Sequence, residues 1–126
     1  LFNGNRFGAL DLARLAKELD PKVKVVFGGV GATFLWEFFL KHYKEVDYII
    51  RGEGEKTFLE LVEAMEGGAR QDMLSSIPGL AFRDQKNRPI CNPDRPFIED
   101  LDALPDPSQY FTFQHVVSSR GCPWNC

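Results

Sequence analysis

The sequence is poor in the residues that mark several common classes of protein. Among its 126 residues there are three cysteines, two histidines and two methionines. So few cysteines, odd in number and unequally spaced, do not match the disulfide framework of a secreted mini-protein, and we therefore expect a reducing, cytoplasmic environment. All apolar runs are far shorter than the roughly 20 residues that a membrane-spanning helix needs, which argues against a membrane protein.

Basic charge is scarce as well. The chain has 15 Lys and Arg residues against 18 Asp and Glu residues, a formal net charge of −3 at pH 7. Binding to the phosphate backbone of nucleic acid needs a basic face, so this balance argues against nucleic acid as a partner. A hydrophobic content of 44% is typical of a globular domain. Because the chain begins without Met and stops directly after a cysteine, we expect it to be a piece of a longer protein.

Helix and strand patterns alternate through the first half of the chain. Apolar residues at helical spacing predict helices at residues 9–19, 33–43 and 55–65, with Thr33 as the N-cap of the second. The residues expected to face the core are Leu12, Leu15, Ala16, Leu19, Phe34, Leu35, Phe38, Phe39, Phe58, Leu59, Val62 and Met65. Short apolar strands are predicted at residues 23–27 and 47–50. This order predicts an α/β fold, a partial Rossmann-like (flavodoxin-like) parallel sheet with flanking helices, with further strands expected before Leu1.

The pattern changes at Ile77. Residues 79–83 and 88–92 predict a β-hairpin, and Pro89 limits its second arm to a sheet edge. Four prolines in residues 93–109 predict an extended Pro-rich connector, and residues 111–119 predict a last strand. We therefore divide the chain at these changes into residues 1–76, 77–110 and 111–126.

Two glycine-rich turns follow the first two predicted strands. The first contains Gly28, Gly29 and Gly31, and the second contains Gly52, Glu53 and Gly54. Open α/β sheets bind ligands at such carboxyl-end loops, which makes both turns candidate binding elements. The spacing of the first turn is not that of a dinucleotide fingerprint, and a tight turn that needs positive φ is its alternative interpretation. Glu55 fits the first turn of a helix equally well.

The remaining candidates are cysteines and histidines. Cys122 and Cys126 stand four positions apart in a Gly/Pro turn and could converge on one metal centre, while a disulfide or two unrelated thiols are the alternatives. His42, late in a helix, is interpreted as structural. His115 is as consistent with a packed core residue as with a ligand-facing one, and Cys91 is interpreted as a plain small residue.

Taken together, these segments resemble those of the cobalamin (B12)-dependent radical S-adenosylmethionine (SAM) enzymes. Residues 119–126, Ser-Arg-Gly-Cys-Pro-Trp-Asn-Cys, resemble the opening of the family's C-x3-C-x2-C motif. Residues 26–34 and 52–58 look like the GG-x-x-ATF and GEGE-x-T segments of its cobalamin-binding domain, and residues 98–105 resemble its connector. The third cysteine, the barrel and the earlier strands of that pattern are not in this sequence.

The resemblance implies a set of roles. Cys122 and Cys126 would be two of three thiolate ligands of a [4Fe-4S] cluster that cleaves SAM. Gly28, Gly29 and Gly31 would lie against the nucleotide tail of cobalamin, with Gly52, Glu53 and Gly54 in the same crevice.

The parent would be a radical methyltransferase or a tetrapyrrole cyclase-like Fe-S oxidoreductase acting on an unknown small molecule. We expect the 126-residue chain alone to be inactive, to bind none of these cofactors, and to form a homodimer or swapped dimer. The alternatives are a methylthiotransferase-like protein and a ligand-binding or interaction module without B12.

Overall fold

Helices and strands alternate through the described part of the chain. The computed structural model describes residues 3–110, 112 and 120. Its helices are α1 (Arg6–Leu19), α2 (Val30–Phe34), α3 (Trp36–His42), α4 (Glu55–Glu66) and α5 (Gln71–Ser75). Its strands are β1 (Val26–Phe27), β2 (Tyr48–Ile50), β3 (Leu80–Arg83) and β4 (Pro89–Cys91), and short 3-10 turns lie at Asn3–Asn5, Leu101–Ala103 and Pro107–Gln109. The predicted α/β class is confirmed.

The four strands form one sheet in the order β1-β2-β3-β4. β1 and β2 run parallel, with Val26 opposite Tyr48, whereas β3 is antiparallel to both of its neighbours. The parallel prediction therefore holds for the first pair only. The predicted hairpin is confirmed, and it continues the same sheet because its first arm pairs with the free edge of β2. Pro89 lies in β4, at the sheet edge as predicted.

Side chains of the central strands alternate between two hydrophobic cores, as the two-residue period of a strand requires. Ile49 and Ala81 are fully buried beneath α1, α2 and α3. Tyr48, Ile50 and Phe82 point to the opposite face, where they pack with α4 and α5. The fold is thus three layers thick, with helices on both sides of the sheet.

The faces that the helices turn toward the sheet differ in part from the predicted ones. In α1, Leu10 and Ala13 are buried, whereas the predicted residues Leu12, Leu15 and Leu19 are exposed and Ala16 is only partly covered. The stripe of α1 that meets the core thus joins one leucine to one alanine, and it lies beside the predicted stripe rather than on it.

The same correction applies to the next helices. Phe39 is buried as predicted, while Phe34 and Phe38 are exposed and Leu35 is half-buried. In α4 the buried residues are Thr57, Leu61 and Ala64, Met65 packs partly against the core, and the predicted Phe58, Leu59 and Val62 are exposed.

Three predicted boundaries are also wrong. The helix expected at residues 33–43 is broken at Leu35, whose φ of −108° and ψ of 20° leave the helical region, and Thr33 lies inside α2 rather than at its N-cap. The first strand is shorter than predicted and starts at Val26, directly after Val25, whose amide donates to Asp47 Oδ2 at 2.8 Å. α5 was not predicted at all. The last predicted strand, at residues 111–119, lies outside the described residues except for Thr112.

Residues 3–110 contain no helix long and apolar enough to span a bilayer. Leu12, Leu15 and Leu19 form an exposed apolar row on α1. Self-association through such a surface stays a prediction, which a single monomeric species in sedimentation at high concentration would contradict.

Arg83 ties the hairpin to the end of α3. Its guanidinium donates to three carbonyl oxygens, those of Leu40 at 2.9 Å, Val46 at 2.8 Å and Tyr43 at 2.7 Å. Burial lowers the pKa of Arg83, while the charges of Asp47 and Glu45 act in the opposite direction. The planar fork thus joins the hairpin to three carbonyls in and just after α3, of which that of Tyr43 also accepts the amide N–H of Val46.

We expect Arg83→Ala to lower the free energy of unfolding by about 2–4 kcal/mol, because three partly buried carbonyls lose their donors. Arg88→Ala is the matched control, since Arg88 lies in the same hairpin and its ion pair with Asp84 is largely exposed on the arginine side. Arg88→Ala should lower the free energy of unfolding by less than about 1 kcal/mol. Urea unfolding measures both, and equal losses would contradict the role assigned to Arg83.

Candidate functional site

The two glycine-rich turns meet at one edge of the sheet. Because β1 and β2 are parallel, their carboxyl ends, and the turns that follow them, emerge on the same side. Between them lies a cavity of about 590 Å³. Its lining residues are Val26, Gly28, Gly29, Ile50, Gly52, Glu53, Gly54, Glu55, Phe58 and Arg120. A cavity of this size suits a small-molecule ligand.

Thr33 joins the two turns directly. Its hydroxyl donates to the carbonyl oxygen of Gly29 at 3.0 Å and accepts the amide N–H of Gly52, also at 3.0 Å. One side chain thus uses its donor and one of its acceptor positions to set the spacing between the turns. The width of the cavity depends on this bridge.

The glycines of the turns have two different roles. Gly29 has a φ of 87° and Gly52 a φ of 69°, backbone conformations that residues with a Cβ rarely adopt. The tight-turn interpretation is therefore correct for these two. Gly28 is not held at positive φ, and a Cβ there would meet only the carbonyl oxygen of Ile50, at 3.9 Å. The absence of a side chain at Gly28 therefore keeps the cavity open and is not required by the backbone conformation.

The rim of the cavity carries charge from two distant parts of the chain. Arg120 Nη2 lies 2.5 Å from Glu55 Oε1, and Arg120 Nη1 lies 3.6 Å from Glu53 Oε1. Burial raises the pKa of Glu55, but hydrogen bonding to Arg120 and to backbone, together with the charge of Arg120, outweighs it and holds the pKa below its ordinary value. Glu55 also occupies the first turn of α4, as the alternative interpretation proposed.

Most of the predicted binding residues are brought together. Gly28, Gly29, Gly52, Glu53 and Gly54 all line the cavity, whereas Gly31 lies within α2 and does not. Their assignment to a particular cofactor stays a prediction. Cys122, Cys126 and His115 lie outside the described residues.

Sequence analysis missed part of the site. Thr33 was assigned to a cap, Phe58 to the core, and Arg120 only to the cysteine motif. The position of Arg120 directly before that motif was the one available signal. Within residues 3–110, 112 and 120, no three His, Cys, Asp or Glu side chains are grouped as metal ligands.

Two further candidates lie elsewhere. His42 is exposed at the end of α3 and its ring lies 4.8 Å from that of Phe38, which fits a structural role. Cys91, interpreted as a plain small residue, has a specific contact, since Arg51 Nη1 donates to its Sγ at 2.7 Å. Burial raises the pKa of the Cys91 thiol, against the opposing effect of the Arg51 charge.

Comparison with known proteins identifies the first half of the chain. Residues 1–62 match the family model of the B12 binding domain. These residues belong to the B12-binding domain family. The match includes β1, β2 and both glycine-rich turns, so the cavity lies largely within the B12-binding domain.

Relatives extend the likeness beyond that domain. An uncharacterized methyltransferase of Pyrococcus horikoshii is 36% identical, with 95% of this chain and 28% of that protein aligned. The anaerobic magnesium-protoporphyrin IX monomethyl ester cyclase of Rubrivivax gelatinosus is 33% identical over 90% of this chain and 22% of its own length. Cytidylyl-2-hydroxyethylphosphonate methyltransferase of Streptomyces wedmorensis is 27% identical, with 80% of this chain and 18% of that protein aligned.

These matches confirm the family resemblance drawn from the motifs. A B12-binding domain is present, and the relatives are methyltransferases and a cyclase. The chain spans about a quarter of the length of the relatives it matches.

We expect Thr33→Val, which keeps the shape but removes the hydroxyl, to free the amide of Gly52. Hydrogen exchange at that amide should become about fivefold faster, because losing one hydrogen bond of ordinary net strength lowers the free energy of opening by about 1 kcal/mol. Ser76→Ala is the control, because its hydroxyl bonds only the nearby carbonyl of Met73. Unchanged exchange at Gly52 in Thr33→Val, measured by NMR, would contradict the bridge.

Proposed function

We propose that this chain is the cobalamin-binding and connecting portion of a cobalamin-dependent radical SAM enzyme. The observation that carries the proposal is the cavity at the carboxyl ends of β1 and β2, built from the glycine-rich turns of a B12-binding domain. The parent's reaction is a radical methylation of an unactivated carbon or a related tetrapyrrole cyclisation, in line with the names of its relatives.

The chemistry of the cavity fits the nucleotide tail of cobalamin. Val26, Ile50 and Phe58 supply apolar walls for a flat aromatic ring, and Gly28 leaves room for a ligand to approach the backbone. The carboxylates on the rim are paired with Arg120, which limits their repulsion of a phosphate-containing group. Gly52 and Gly54 are placed to contact the same ligand.

Cys122 and Cys126 are proposed as two ligands of a [4Fe-4S] cluster. Such a cluster, completed by a third thiolate, supplies the electron that cleaves SAM. The part of this chain is to supply these two thiolates, which follow Arg120 at the rim of the cavity by two and six positions.

The 126-residue chain alone is proposed to be inactive, since it supplies two of the three cluster ligands. Anaerobic incubation with iron, sulfide and SAM should leave SAM intact, as followed by chromatography of the products. Formation of a stable cluster together with 5′-deoxyadenosine would contradict this.

The test of the main proposal is titration of the longer protein that contains this chain with hydroxocobalamin, followed by its visible spectrum. We expect binding, and we expect Gly28→Leu to weaken it by about tenfold or more, because the new side chain competes with the ligand for the cavity. Gly28 is a better site than Gly29 for this purpose. A side chain at Gly29 would strain the backbone through its positive φ and mix stability with affinity.

Gly8→Leu is the matched control. A Cβ at Gly8, on α1, meets nothing within 4 Å, so the same substitution there should leave cobalamin affinity unchanged and should not lower stability, because Leu is a better helix former than Gly. Absence of binding by the unaltered protein would favour the alternative, a ligand-binding module without B12 in front of a methylthiotransferase-like domain. Equal affinity of the Gly28→Leu and Gly8→Leu variants would place cobalamin outside this cavity.

A further inference from the structure

The second glycine-rich turn holds two later segments of the chain. Glu53 uses both carboxylate oxygens, since Oε2 accepts the amide N–H of Ile98 at 2.6 Å and Oε1 faces Arg120 at 3.6 Å. Glu55 contacts the other terminal nitrogen of the same guanidinium at 2.5 Å. The two carboxylates thus bind one arginine and the backbone of the connector.

The connector is already fixed just upstream of Ile98. Arg95 Nε donates to Thr57 Oγ1 at 2.9 Å, and the same guanidinium pairs with Glu60, both on α4. Thr57 is fully buried and donates in turn to the carbonyl of Pro78. The connector is therefore bound to α4 at Arg95, and at the rim of the cavity it is bound to Glu53 through the amide of Ile98.

Arg120 is the described residue that lies nearest in sequence to the cysteines. Cys122 follows it by two positions, and two residues of chain span at most about 7 Å. Whatever holds Arg120 therefore limits the distance between Cys122 and the cavity. A paired guanidinium with two carboxylate partners holds its segment more firmly than a single exposed ion pair does.

We propose that Glu53 and Glu55 are positioning residues, a carboxylate clamp that binds Arg120 and so keeps the following Cys122 close to the cavity. This inference rests on the proposed function, because only a cluster site gives the position of Cys122 a purpose. The contacts that form the clamp involve no cofactor. Glu53, which the family resemblance assigns to cofactor binding, thereby acts through Arg120 and the connector.

Trypsin, which cleaves after arginine, gives a direct test on the 126-residue chain. The bond after Arg120 should be cut slowly while the clamp holds, and about fivefold faster in the Glu53→Gln/Glu55→Gln double variant. The bond after Arg70, an exposed residue outside helices and strands, is the internal reference and should be cut at the same rate in both. Asp72→Asn, which removes an exposed ion pair of Arg70, is the matched variant and should leave cleavage after Arg120 unchanged.

A distance measurement separates positioning from general loosening. A spin label on Cys122 is paired with a second label at Glu63→Cys, an exposed site on α4, in a background with Cys91→Ser and Cys126→Ser. We expect a narrow distance distribution by pulsed electron paramagnetic resonance, broadened by Glu53→Gln/Glu55→Gln and not by Asp72→Asn. The Ile98 amide should stay protected in the double variant, because glutamine retains an acceptor oxygen.

The results distinguish the clamp from the proposed function. The clamp is overturned if the distance distribution is already broad in the protein with both carboxylates, or if it stays narrow in the double variant. Either result counts against the clamp even if hydroxocobalamin binds. Faster cleavage and a broadened distribution support it even if hydroxocobalamin does not bind, in which case the cofactor assignment alone fails.

Discussion

The parallel pairing of β1 with β2 is the constraint on which the rest of the site depends. Only strands that run in the same direction bring their following turns to one edge, and the register that sets Val26 opposite Tyr48 fixes how far apart the turns begin. Thr33 then needs only one hydroxyl to join them. Had β2 been antiparallel to β1, the Gly-Glu-Gly-Glu turn would lie at the other end of the sheet and no shared cavity would exist. The position of Arg120 at the rim follows from the same pairing, since its two partners belong to that turn.

A sheet with strands this short needs support from side chains. β1 has two residues and β2 three, so few ladder hydrogen bonds are available. Polar side chains compensate by bonding directly to backbone. Asp47 accepts the amide of Val25, and Arg83 donates to three carbonyls in and just after α3. Buried Asn92 donates to the carbonyls of Leu74 and Ile77 at 2.7 Å each. Each bond joins segments that are far apart in sequence. The scaffold beneath the cavity therefore depends on a few specific residues as well as on its two apolar cores.

The sequence was sufficient for the order of elements and the place of the candidate site, and insufficient for the packing. Strand, glycine-rich turn and helix follow from local patterns, and a strand–helix–strand unit favours parallel pairing. The inner faces of the helices were mispredicted because apolar residues occur on several sides of α1 and α4. The faces that meet the core carry Leu10, Ala13, Leu61 and Ala64, and the predicted Leu15 and Leu59 are exposed. The antiparallel addition of the hairpin and the ion pairs of Arg120 depend on tertiary contacts, which no local pattern encodes.

The charge of the rim bears on how a ligand can be held. Glu53 and Glu55 together carry more charge than Arg120 neutralises, so the rim keeps a net negative charge next to the cavity. Attraction of a phosphate by charge is therefore not the main source of affinity in this cavity. Binding must draw on the apolar walls and on close approach to glycine backbone, both of which favour a large ligand with a flat, neutral portion. The carboxylates, which would be unfavourable as anion ligands, instead hold Arg120 and the amide of Ile98 at the rim.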